Sequence, residues 1–375
     1  MSVYLAWRNA FQHRRRAWTA IAGISFSILL MFMQLGFATT ARRAHTLLYE
    51  LLDFDLMMTS DRFESLKNPL TFPAARLYQA RMADGVADVA RLNVDWAAWM
   101  DPATGRESSC MLVGVDLNPA FIRDERLKAR LDAIRVNNAL LVDELSHPAY
   151  GPLSRGRVVR INGTNASIAG RFRMGTDFKA DGRAIVSQAT YYGLQQKEMG
   201  EIHLGMIKVG PGVDPELVRA ALAASMPPDV LVFDRATLIA DEQDYYTEVK
   251  PIGLFFQAGM ILAFCVGGVI LFQVLATDIA TRFREFATIK AIGMRGRFIY
   301  EAGVYQGILY GLLGYVPAFA VAAALFYGIH AVTRLPIAMS LRLAGSVLAL
   351  SLLMCAVSSM LALIKVRRAD PAALF

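Results

Sequence analysis

Residues 17–41 read AWTAIAGISFSILLMFMQLGFATTA, an apolar run without a single charge, preceded by Arg14, Arg15 and Arg16. A helix needs about 20 apolar residues to cross a hydrocarbon core, so this run predicts a membrane span. A cleaved leader is the competing reading, because Ala38-Thr39-Thr40-Ala41 resembles a cleavage site. The apolar core of a leader is only about 7–15 residues, and the greater length here favours a retained helix. Three more runs behave alike, at 251–277, 302–330 and 343–364, the third span containing Pro317. The whole composition agrees. With 55% hydrophobic and 19% charged residues, the chain is too apolar for a soluble domain of this size.

Charge sets the orientation. Arg8 and Arg14–Arg16 precede the first span, Arg282, Arg284, Lys290, Arg295 and Arg297 separate the second from the third, and Lys365, Arg367 and Arg368 follow the fourth. These basic segments belong in the cytosol, so both termini are expected inside an inner (plasma) membrane. The long segment 42–250 and the short loop 331–342 then lie outside. The net charge of +7 sits beside apolar runs rather than in a stripe interleaved with aromatics, which suits lipid headgroups and argues against nucleic acid. Within 1–16, Val3, Trp7 and Phe11 recur at helical spacing beside the arginines, the pattern of an interfacial helix. The expected fold is therefore a helical membrane protein of four transmembrane helices, with one α+β extracytoplasmic domain between spans one and two.

Within 42–250, alternation and turn residues predict strands at 54–58, 86–100, 107–115, 158–161, 167–172, 184–186, 203–209 and 230–233. Helices are expected at 73–82 and from Asp214 to Ser225, with Pro215 in the first turn. Asn162-Gly163 marks a hairpin, which explains the asparagines better than the overlapping glycosylation sequons do. Chemistry is sparse. His45, His147 and His203 lack metal-ligand spacing, and Ser108-Ser109-Cys110 lacks a nucleophile-elbow pattern. The three cysteines, Cys110, Cys265 and Cys355, suggest no disulfide. No metal and no catalytic residue is expected.

The cores of the four predicted spans hold no Asp, Glu, Lys, Arg or His, and their polar content is Gln34, Gln257, Gln273, Gln306 and some Ser and Thr. Proton relays and ion pathways need such residues, so a secondary transporter is disfavoured. The chain also lacks a G-x-x-x-x-G-K-[ST] phosphate loop. If it does work, the energy comes from another protein. In the third span Gly303, Gly307, Gly311 and Gly314 form one small-residue stripe, a packing seam for a helix of this chain or of a second copy.

The cytosolic segment 278–301 carries Arg284-Glu285-Phe286-Ala287-Thr288-Ile289-Lys290-Ala291-Ile292-Gly293. It predicts a short helix with Phe286, Ile289 and Ile292 on one face, Glu285 and Lys290 as charged handles, and Gly293 as the stop. On physical grounds a force-receiving helix and an ordinary amphipathic turn-around fit equally.

That stretch resembles a signature of the MacB/FtsX/LolC family of ABC transporter permeases, and Arg367-Arg368-Ala369-Asp370-Pro371-Ala372-Ala373-Leu374 is similar to the family's C-terminal motif. The DevC subfamily is resembled more closely, through Asp244-Tyr245-Tyr246, Lys250-Pro251-Ile252-Gly253, Val266-Gly267-Gly268-Val269-Ile270, Gln273-Val274-Leu275, Thr277-Asp278 and Met33-Gln34-Leu35-Gly36-Phe37. Gly293-Met294 departs from DevC, which often has an aromatic after the glycine.

The resemblance implies a non-catalytic permease subunit that pairs with a second copy of itself and binds a cytosolic ABC ATPase, which carries the ATP and Mg. It makes Arg284, Glu285, Phe286, Ala287, Ile289, Lys290, Ala291 and Gly293 the ATPase-coupling helix. It further implies export of a lipid, glycolipid or other hydrophobic substrate, with a periplasmic adaptor protein and an outer-membrane channel as partners. A signalling permease of the FtsX kind, switching a periplasmic partner without transport, is the alternative. A membrane-bound enzyme or receptor is the third reading.

Overall fold

The computed structural model describes residues 14–175, 180–245, 251–281 and 296–367. They fall into two compact units. One comprises 1–39, 252–328 and 337–375, and the other comprises 40–251 and 329–336.

In chain order the helices are α1 (Arg14–Leu51), α2 (Ala74–Arg81), α3 (Glu125–Lys128), α4 (Gln188–Gln195), α5 (Pro215–Ser225), α6 (Arg235–Asp244), α7 (Pro251–Thr281), α8 (Gly296–Thr333) and α9 (Leu341–Arg367). The strands are β1 (Leu56–Ser60), β2 (Phe72–Pro73), β3 (Val86–Met100), β4 (Glu107–Val115), β5 (Ala139–Asp143), β6 (Val158–Ile161), β7 (Thr164–Phe172), β8 (Gly182–Ser187), β9 (Glu201–Ile202), β10 (Leu204–Val209) and β11 (Val230–Asp234).

Four helical stretches are long and apolar enough to cross a membrane: Ala17–Leu51, Gly253–Asp278, Gly303–Thr333 and Leu341–Ile364. Four apolar helices thus bracket a mixed α/β domain, as the sequence predicts. The first helix outlasts its apolar run. Arg42 and Arg43 end the apolar run at residue 41 but not the helix, which continues to Leu51. Beyond them Ala44, Leu47, Leu48 and Leu51 recur at i, i+3, i+4 and i+7 and are buried in the second unit. The two arginines stay exposed and pair with Asp244 (3.7 Å) and Glu50 (3.6 Å).

The interposed domain is built on one nine-stranded sheet in the order β11-β1-β10-β3-β4-β8-β5-β7-β6. β4–β8 and β5–β7 are parallel and the other neighbours antiparallel. The far end of the 15-residue β3 also pairs with β6, Trp99 opposite Ile161, so β3-β4-β8-β5-β7-β6 closes on itself. That closure removes the edge β6 would otherwise present. Inside it, Trp99, Cys110, Leu112, Leu140, Val142, Val159, Ile168, Ala184 and Val186 form one core cluster. Trp99 stacks on Tyr150 with ring centroids 4.5 Å apart.

The Asn162-Gly163 turn carries positive φ at both residues (49° and 80°), the form that a two-residue hairpin requires. Asn162 is held there by side-chain bonds: its Oδ1 accepts from the Ala98 amide (2.9 Å) and its Nδ2 donates to Gln195 Oε1 (3.1 Å). These bonds give the asparagine its structural purpose. The helix after Asp214 starts at Pro215, and Asp214 caps it by accepting from the Glu216 amide at 2.9 Å.

The membrane unit packs through small residues. A Cβ at Gly259 would lie 2.5 Å from the amide carbon of Gln34, and one at Gly267 would meet Ser27 and Met354. Ser27 Oγ donates to the Ala263 carbonyl across the same α1–α7 contact. Phe32 of α1 lies 5.6 Å from Tyr315 and 6.0 Å from Phe319 of α8, ring centre to ring centre.

Candidate functional site

The residues Arg284, Glu285, Phe286, Ala287, Ile289, Lys290, Ala291 and Gly293 lie outside the described residues, as does the predicted interfacial helix up to residue 13. What flanks the first group is described. α7 runs to Thr281 and α8 begins at Gly296, so segment 282–295 joins two membrane helices directly. Three residues before α7 ends, the buried Asp278 accepts a hydrogen bond from Gln306 Nε2 of α8 at 2.9 Å. The helix entering the loop and the helix leaving it are therefore tied by a polar bond. Interhelical side-chain bonds of this kind are one of the few attractions between helices in lipid. Asp278 stands one residue beyond the predicted end of the second span, which is why the sequence reading found no charge in the spans. The signal was the glutamine at 306, a polar side chain in an apolar run.

Gly303, Gly307 and Gly311 all face α9. A Cβ at Gly303 would stand 3.1 Å from Leu363, one at Gly307 would strike Ser359, and one at Gly311 would stand 2.7 Å from Cys355 Sγ. Gly314 faces α1 instead, 3.0 Å from Ile24. The sequence left the partner of this stripe open between the same chain and a second copy; these contacts are within the chain.

Several buried polar groups organise the interposed domain. Arg183, 2% exposed, donates to the carbonyls of Gly175 and, at 3.2 Å, of Ala44 in α1. Nearby Asp143 accepts from the amides of Leu145, Met174 and Gly175. Burial still pushes its carboxyl upward, against those bonds and the Arg183 charge. Glu242 of α6, 1% exposed, accepts the Leu66 amide at 3.0 Å, and burial raises its carboxyl to about 8. His203 bonds Asn93 Oδ1 through Nδ1 (2.9 Å), and burial lowers it to about 4, so it stays neutral near pH 7. Asn93 in turn donates to Gln188 Oε1 (2.7 Å), and Gln188 donates to the Arg91 carbonyl (2.9 Å).

None of this assembles a reaction centre. His147 Nδ1 accepts the Ala149 amide in a local cap, and His45 Nδ1 contacts the Ala41 carbonyl one turn back. Cys110 is fully buried in β4, its thiol pushed up to about 12 by desolvation. Among the described residues no group of three or more His, Cys, Asp or Glu is placed to hold a metal.

Residues 258–371, from early α7 to beyond α9, match the FtsX-like permease C-terminal family. Four described helices, three of them within or overlapping this matched region, are long and apolar enough to cross a membrane. Similar solved structures include the periplasmic region of MacB from Actinobacillus actinomycetemcomitans, at 10% identity and TM-score 0.37, covering 51% of this chain and 93% of that one. Another is the extracellular domain of the noncanonic ABC-type transporter YknZ from Gram-positive bacteria, at 12% identity and TM-score 0.34, covering 48% and 99%. Comparison with curated protein sequences gives no match.

Proposed function

We propose that this chain is the non-catalytic membrane subunit of a DevC-type exporter, driven by a separate cytosolic ABC ATPase that binds the ATP and Mg. The observation that carries the reading is the family match over 258–371, which contains the loop between α7 and α8. In this reading both termini are cytosolic, and Arg284, Glu285, Phe286, Ala287, Ile289, Lys290, Ala291 and Gly293 seat in a groove of the ATPase. Two permease copies pair, each with its ATPase. Closure of the ATPases on nucleotide displaces the loop, and α7 and α8 receive the displacement together because Gln306 ties them at Asp278. The interposed domain, on the periplasmic side, then acts on a lipid, glycolipid or other hydrophobic substrate. It passes the substrate to a periplasmic adaptor and an outer-membrane channel.

The loop assignment is tested by Glu285→Arg and Phe286→Asp in the full chain. Each should abolish co-purification of the ATPase while the permease remains at normal level in the membrane. A complex that stays intact and still exports substrate on ATP would remove the loop from the coupling path.

A further inference from the structure

Residues 61–71 join β1 to β2 as a strap that is bonded to several elements in turn. At its ends, the Asp61 amide donates to the Asp229 carbonyl (3.0 Å), and Thr71 Oγ1 donates to Glu201 Oε2. Between them, Trp96 Nε1 of β3 donates to the Lys67 carbonyl (3.0 Å). Two further bonds run to α6 and the residue after it: Tyr245 Oη donates to Glu64 Oε2 (2.8 Å), and the Leu66 amide donates to the Glu242 carboxyl. Leu66 of the strap and Leu238 of α6 belong to one core cluster, with Phe63 packed against it.

The bond to Glu242 differs in kind from the others. Its carboxyl is 1% exposed, and both oxygens stand 3.0 Å from the same Leu66 nitrogen. An ionised carboxyl offers about four acceptor sites, and one amide cannot replace the water that would fill them. Asp143 shows the contrast, because three amides reach it and the Arg183 charge acts on it. The place of Glu242 suits the protonated form, and burial raises its carboxyl from 4.5 to about 8. The surrounding charges do not reverse this. Lys67 of the strap draws the value down, by less than burial raises it. Glu64 accepts from Tyr245, Asp244 pairs with Arg42 of α1 at 3.7 Å, and Asp241 is exposed. His45 of α1 bonds the Ala41 carbonyl. β1 brings no charged side chain to α6, and Asp234 of β11 caps the opposite end of that helix.

We infer that segment 61–71 is a strap with a proton-operated catch, closed on α6 while the Glu242 carboxyl is protonated and loosened when the proton leaves. Ionisation puts a charge with one donor into the core, and an open strap that admits water holds that charge better than a closed one. Opening uncovers Leu66 and Phe63 and frees the last turn of α6, which precedes α7 in the chain. The inference rests on the interposed domain alone and stands apart from the coupling-loop reading.

The test is hydrogen exchange of the full chain in detergent from about pH 5 to about pH 9, each rate divided by the intrinsic rate at that pH. Strap amides, Leu66 among them, should exchange ahead of those of β4 at every pH, the mark of a local opening. Between pH 4.5 and about 8 opening releases one proton, so it becomes easier as pH rises. Protection of the strap should therefore fall about tenfold per pH unit, roughly a hundredfold from pH 5 to pH 7, and level off above about 8. Glu242→Gln keeps an acceptor for Leu66 and cannot ionise, so its strap should hold one protection across the range. If that variant is depleted from the membrane, the profile of the parent decides alone. A parent strap whose protection does not change with pH, strap and β4 amides that exchange together, or a Glu242→Gln strap as pH-dependent as the parent's would each overturn the inference.

Discussion

β4, β5 and β8 of the interposed domain are buried over most of their length, and two of them carry buried ionisable side chains, Asp143 in β5 and Arg183 in β8. The helices α7 and α9 bury few of their large side chains, leaving Leu254, Phe255, Ile261, Leu262, Leu353 and Leu361 more than half exposed. Their tightest approaches to neighbours include the small residues Gly259, Gly267, Ser359 and Cys355. In water, removing apolar surface drives the fold, and a buried charge is tolerated if the backbone solvates it. In lipid that driving force between helices is absent, so closeness of backbones and a few polar bonds take over. The same chain therefore has two kinds of weak point: lost polar partners in one unit and added bulk in the other.

The largest effect should come from Arg183→Met. It leaves Asp143 without its nearby cation and the Gly175 carbonyl without its donor, at a cost of about 3–5 kcal/mol. Thermal unfolding of the full chain in detergent, followed by proteolysis within 40–251, should show that domain failing first. If it stays protease-resistant at the parent's temperature, buried charge is not a weak point there. Gly307→Leu should cost about 1–3 kcal/mol through overpacking against Ser359 and Cys355. Its damage should appear as cleavage in the α8–α9 region, with the interposed domain intact. Loss of both regions at one temperature would show that the two units melt as one.

Glu242→Gln should have the sharpest signature, because its effect is confined to higher pH. The Glu242 carboxyl is raised from 4.5 to about 8, so the folded domain holds a proton that the unfolded chain releases between those values. Its stabilisation is complete below about pH 4.5 and is lost as pH rises through about 8. The variant and the parent should unfold together at pH 5. By pH 8 the variant should be the more stable, with a higher unfolding temperature than the parent. A gap that does not change with pH would mean that Glu242 is charged in the fold.

Much of this architecture is legible in the sequence, for identifiable reasons. β3 and β4 lie at the predicted 86–100 and 107–115, because both are long and a Pro-Gly-containing turn separates them. The hairpin at Asn162-Gly163 and the helix behind Asp214-Pro215 follow from turn and cap chemistry. β5 escapes notice. Ala139-Leu140-Leu141-Val142 is buried on both faces and so shows no alternation, and a short apolar run has no readable period. α4 and α6 also go unread, although Ser187 and Asp234 cap them; each is short, and its buried residues are shared with strands beside it. The extension of α1 is hidden by Arg42 and Arg43, whose charge marks the edge of the apolar run but says nothing about where hydrogen bonding stops. Of the candidate site, the glycine stripe is readable but its partner is not, because spacing on one helix does not identify the helix opposite. Asp278 needed Gln306 to give it meaning, and the two are separated by the loop.

The placement of β1 has a consequence for the order of biogenesis. Leu56–Ser60 is made early, yet both of its neighbours, β10 and β11, lie at 204–209 and 230–234. Until residue 209 has left the ribosome β1 is an apolar strand with two open edges, and until residue 234 has followed it keeps one, attached to a helix made before it. Such distant pairing closes slowly and exposes aggregation-prone surface meanwhile. The domain thus cannot be completed before the chain reaches the start of α7 at Pro251, so its final folding and the insertion of the second membrane helix fall in the same interval of synthesis.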